Sequence, residues 1–143
     1  MSYRPLEKTL HQNQVFTDML AVATAGNVGV LDLDSCLFDT RFRHQQIIRE
    51  FALQYGHASL YHIKPTQIGW GLEGTLGNLG LSLEAIEQLL PTLVPFWKKR
   101  FFSNDYLRFD LPMFASQYFV QECYTRGMTI VYLTGRGNYQ RTG

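Results

Sequence analysis

A chain of 143 residues is long enough for one real hydrophobic core, and with 45% hydrophobic against 17% charged residues its composition is globular, not disordered. A net charge of +1, with basic residues scattered along the chain, carries no nucleic-acid footprint, and no apolar run approaches the ~18 residues of a membrane span. Cys36 and Cys123 make neither a disulfide framework nor a zinc site, so a reduced, cytoplasmic protein is expected.

Residues 1–27 read as a helical lead-in, with Phe16, Leu20 and Val22 loosely periodic and a stop at Ala25-Gly26-Asn27. Asp18 interrupts the stretch from Val15 to Gly26, which argues against a signal peptide. Val28-Gly29-Val30-Leu31 is a short apolar run ending in acids, the pattern of a buried parallel strand. Over 40–55, Ile48, Phe51, Ala52 and Tyr55 fall at helical spacing, with Asp39 or Thr40 as cap and Gly56 as stop. Residues 57–80 carry Pro65 and glycines at 69, 71, 74, 77 and 80, and are expected to be a loop. Ser82 caps a helix bearing Leu83, Ile86, Leu89 and Leu90, and a second helix is expected over 93–102 with Pro95 in its first turns. Pro112 begins a further helix, with Ala115, Phe119 and Cys123, that stops at Gly127. Met128–Leu133 is a second apolar strand. Two parallel strands separated by helices make an α/β chain with one large excursion between neighbouring strands.

The acids at the end of the first strand are the most informative residues. Alternation along a strand puts Asp32 and Asp34 on one face as the strand ends, where α/β proteins bind ligands. Two converging carboxylates repel unless a cation neutralises them, and hard oxygen donors of this kind suit Mg²⁺. A bare Asp-x-Asp is also compatible with a simple turn cap or with a glycosyltransferase-type metal site. Here an apolar strand precedes it and Leu37-Phe38-Asp39-Thr40 follows.

With that context, Val30-Leu31-Asp32-Leu33-Asp34 through Asp39 resembles the first motif of the haloacid dehalogenase superfamily, an apolar strand followed by Asp-x-Asp-x-Thr/Val and often Leu-x-Asp. The resemblance implies that Asp32 attacks phosphorus to form an aspartyl-phosphate, and that Asp34 protonates the leaving oxygen and then serves as base toward water. It implies phosphate rather than carbon–halogen chemistry, because the dehalogenases of the superfamily lack an acid at the second position. Ser35 stands where glycine is common and Cys36 where Thr or Val is usual. Cys36 is a weak hydrogen-bonding group, and no neighbouring His marks it as a reactive thiol.

Thr129–Leu133 followed by Thr134-Gly135-Arg136 resembles the superfamily's second motif, in which a hydroxyl and the next backbone N–H bind the phosphoryl oxygens. The resemblance makes Thr134, Gly135 and Arg136 substrate-binding residues, with Gly135 allowing close backbone approach. Arg136 is open to two readings, holding a substrate phosphate or bracing the loop; Arg141 follows, as in several phosphatase branches.

The implied architecture is an incomplete Rossmann-like parallel sheet core, residues 1–40 and 110–143, with a helical C1-type cap, 41–109, inserted after the first strand. Aromatic pairs Phe96-Trp97 and Phe101-Phe102 also resemble bacterial members of the phosphatase-type branch. Trp70, Trp97 and the basic run Lys98-Lys99-Arg100 either face a substrate or pack helices beneath a solvated basic face. The superfamily's third motif, a Lys, and its fourth, an acidic pair completing the Mg²⁺ site, have no counterpart after Arg136, so a fragment of a longer enzyme is expected. The expected activity is Mg²⁺-dependent hydrolysis of a small phosphorylated substrate, without nucleic acid or membrane. The alternative is a catalytically inactive remnant or binding module of the same fold.

Overall fold

The computed structural model describes residues 5–137. Its elements are α1 (Pro5–Ala21), β1 (Val28–Asp32), β2 (Phe38–Asp39), α2 (Arg41–Tyr55), α3 (Ala58–Tyr61), α4 (Leu72–Asn78), α5 (Leu83–Phe101), β3 (Leu111–Pro112), α6 (Ser116–Thr125) and β4 (Thr129–Leu133). The chain is mixed α/β. It divides into two compact units, one formed by residues through Phe38 with Pro112–Thr134, the other by Asp39–Leu111 with residues from Gly135. The two-residue strands β2 and β3 pair with each other.

In the first unit β1 and β4 pair in parallel, from Val28 opposite Thr129 to Asp32 opposite Leu133. Leu31 is buried with Ala23, Leu37, Phe119 and Cys123, and Ile130 and Val120 pack on this cluster. The Phe16 and Phe119 rings, 5.2 Å apart, join α1 to α6. Burial raises the Cys123 thiol pKa, so this thiol behaves as a small apolar core group. The expectation of a buried strand is corrected by the opposite face. Val28, Val30, Val131 and Leu133 alternate away from the helices and stay 44–59% exposed.

The second unit has the larger core, built from Ile47, Ile48, Phe51, Leu60, Ile63, Leu76, Leu93 and Phe96. Gly56 ends α2 in the left-handed conformation, φ 75°, and its N–H donates to the Ala52 carbonyl. Of the two cap candidates for α2, Thr40 occupies the cap position without a side-chain cap bond, and Asp39 Oδ1 accepts the Arg41 N–H at 3.0 Å.

Residues 57–80 are not the expected loop. They form α3, a 3₁₀ turn over Pro65–Gln67, and α4. Leu72, Leu76 and Leu79 repeat at i, i+4 and i+7, and their burial against the core outweighs a glycine cost of about 1 kcal/mol each. Buried Thr75 ties the turn down, accepting from Gly69 N–H at 3.0 Å and donating to the Gly71 carbonyl at 2.7 Å.

The two helices expected over 83–102 are one. α5 runs 19 residues through Pro91 and Pro95, capped by Ser82 Oγ, which accepts the Ala85 N–H at 3.3 Å. Both prolines lie on the exposed side, while Ile86, Leu93, Phe96 and Phe101 hold a continuous buried face. Pro112 also departs from expectation: it lies in β3, and α6 begins at Ser116 after Ala115 at φ 64°.

Candidate active site

β1 and β4 end side by side. Asp32 pairs with Leu133, and Leu33 N–H donates to the Leu133 carbonyl at 3.2 Å. Thr134 is therefore the residue after the partner of Asp32, at the same C-terminal sheet end. Paired parallel strands lie about 4.8 Å apart, so Asp32, Leu133 and the next residue, Thr134, share one sheet end. Asp32 is exposed at this end and Asp34 partly buried.

Strand alternation runs only to Asp32, because Leu33 already belongs to a turn. In that turn Leu37 N–H donates to the Asp32 carbonyl at 3.3 Å and Phe38 N–H to the Leu33 carbonyl at 3.0 Å. Ser35 N–H donates to the Phe38 carbonyl at 2.9 Å, and Met113 N–H holds the Leu37 carbonyl at 2.8 Å. Buried Leu37 anchors the turn in the core. The turn, not the strand pleat, thus sets the position of Asp34. Ser35 sits at φ 62°, the left-handed region that favours glycine, which gives a steric reason for glycine at this position. Cys36 is exposed.

Gly135 and Arg136 belong to the second unit. Neither a positive φ nor packing requires glycine at 135: a Cβ there would meet nothing within 4 Å. Arg136 donates to the Phe102 carbonyl at 3.0 Å and the Phe101 carbonyl at 3.4 Å, with Phe102's ring 6.0 Å away. Of its two readings, these bonds favour bracing. Arg141 lies outside the described residues.

Three polar networks in the second unit escaped sequence reasoning. Arg41 grips Asp39 with two nitrogens, at 2.8 and 2.6 Å, and this hydrogen-bonded pair holds the Asp39 carboxyl below its ordinary pKa. Buried Arg43 pairs with Asp110, Nε to Oδ1 at 2.7 Å, and donates to the Phe101 carbonyl at 2.9 Å. Burial works against an ionised Glu50, but donors from Tyr106, Gln46 and Arg100 outweigh it and lower its pKa. Such partners lie 50 or more residues apart for Arg43 and Arg100, so spacing alone gives no signal for them. Trp97 packs inside this unit, its Nε1–H donating to His44 Nδ1 at 3.0 Å, and Trp70 is fully exposed.

Among the described residues no group of three or more His, Cys, Asp or Glu side chains gathers to hold a metal ion. The two acids at the β1 end still meet the minimum for Mg²⁺, which takes one or two carboxylates and completes its shell with water and phosphate. No family profile, curated relative or solved structure matches this chain.

Proposed function

We propose that the chain carries the catalytic acids of a Mg²⁺-dependent phosphomonoester hydrolase of haloacid dehalogenase type, with a Rossmann-like core and a helical cap. The observation that supports it is the parallel register that sets Asp32 next to Leu133 and Thr134 at the C-terminal sheet end. An Asp32 oxygen attacks phosphorus, the ester P–O bond breaks, and the leaving oxygen takes its proton from Asp34. Asp34, now a carboxylate, draws a proton from water as that water attacks phosphorus; the acyl–phosphate bond breaks, phosphate leaves, and Asp32 is restored. Thr134 Oγ1 holds a phosphoryl oxygen.

The Asp32 carboxylate and the backbone carbonyl of Asp34 would hold Mg²⁺, which offsets the negative charge of carboxylate and phosphate when bound. The direct test is Mg²⁺-dependent release of phosphate from an aryl phosphate, compared between the wild-type chain and Asp32→Asn. Turnover lost in the variant supports the reading; equal turnover in both rejects it.

A further inference from the structure

A groove opens between α6 and the strand ends of the first unit and lies wholly within that unit. It encloses about 440 Å³, inside the roughly 300–1,000 Å³ span of small-molecule sites. One wall is apolar: Leu33 and Leu37 come from the turn after β1, Phe38 from β2 and Tyr132 from β4. The other wall is the first half of α6, where Ser116, Gln117 and Gln121 line the same space.

Gln117 and Gln121 stand one turn apart, so their side chains leave α6 on one face. Among the described residues the Ser116 hydroxyl and the Gln117 amide have no hydrogen-bond partner, and the Gln121 amide reaches only Thr125 Oγ1, at 3.4 Å. Each glutamine therefore offers a donor and an acceptor to an occupant of the groove. No Asp, Glu, Lys, Arg or His lines it. A charged ligand would give up hydration there without a counter-ion, so an uncharged one fits. Phe38 and Tyr132 are 38% and 53% exposed, which leaves ring surface open to a flat aromatic group.

We propose that this groove binds a small uncharged aromatic amide, its ring against Phe38 and Tyr132 and its amide paired with Gln117 and Gln121. A primary amide carries a donor and an acceptor on one edge, the complement of what a glutamine side chain presents. The proposal does not rest on phosphatase activity, although Leu33 and Leu37 belong to the turn that carries Asp34.

The test titrates benzamide into the full chain and follows amide NMR shifts. Saturable shifts at Leu33, Leu37, Gln117 and Gln121, with a dissociation constant of about 1 mM, are expected. Benzoate has the same shape but carries a charge, and is expected to bind at least about tenfold more weakly. Gln117→Ala combined with Gln121→Ala changes two exposed helical positions to the best helix former, so the fold is retained, as thermal unfolding verifies. This double variant is expected to weaken benzamide at least about tenfold. No saturation by about 20 mM, saturable shifts confined to residues outside the groove, benzoate binding as tightly as benzamide, or unchanged affinity in the double variant would each overturn the proposal.

Discussion

At residue scale the most telling position is Ser35, a non-glycine residue at φ 62° inside the turn that carries Asp34. A left-handed conformation costs a residue with a Cβ about 1–2 kcal/mol, and glycine avoids it at some loss of unfolded-state entropy. Ser35→Gly is therefore expected to raise stability by about 0.5–1 kcal/mol, read from urea unfolding. Asp32 is exposed, so Asp32→Asn is expected to leave the melting temperature within a few degrees while costing at least about 10³-fold in aryl-phosphate turnover. A large loss of stability in this variant would remove Asp32 from the reacting groups and make it structural. Arg43 stands at the other extreme. Its removal as Arg43→Ala strands the Asp110 carboxylate and is expected to cost about 3–5 kcal/mol of stability in denaturant titrations.

At element scale α5 shows how burial overrides propensity. Pro91 and Pro95 remove two helical N–H donors, yet Leu93 and Phe96 between and after them are buried, and the helix continues. Because Pro91 is exposed, Pro91→Ala is expected to stabilise the chain by about 1–2 kcal/mol, the helix gain less the lost rigidity of the unfolded chain. Unchanged stability would mean that the proline ring's restriction of the unfolded chain offsets the missing N–H bond in full. Helix α2 is tied to α5 and its following turn through Glu50, whose carboxyl is held below its ordinary pKa. A carboxylate with a lowered folded-state pKa contributes stability that is complete above the unfolded value of about 4.3 and is lost as pH falls through the lower folded value. Glu50→Gln is accordingly expected to flatten the acid limb of a stability–pH curve below about pH 4 while lowering the neutral plateau.

At the scale of the whole molecule the two units differ in what they bury. The second holds the larger apolar cluster; the first leaves Val28, Val30, Val131 and Leu133 exposed on one face of a two-stranded sheet. Few buried contacts and exposed backbone hydrogen bonds mark regions that open first. Amides of β1 and β4 are expected to exchange with solvent faster than those of the buried stretch of α2, a comparison read by hydrogen-exchange mass spectrometry. Equal protection would mean that the two units unfold together.

Much of this architecture was legible in local chemistry. Gly56 as a left-handed stop, Ser82 as a cap and the apolar runs before Asp32 and Thr134 all depend on neighbours within a few residues, so sequence alone determined them. It likewise determined which acids and which hydroxyl follow the two strands. The parallel register that sets Asp32 beside Leu133, and the turn that carries Asp34, depended on contacts across about a hundred residues. The same holds for α4, which forms among glycines because its leucines meet a core supplied by α2 and α5, and for the Arg43–Asp110 pair. Local pattern fixes where a helix or strand can form; only tertiary packing decides where burial outweighs a proline, a glycine or an ion's lost hydration, because that balance is struck between distant segments.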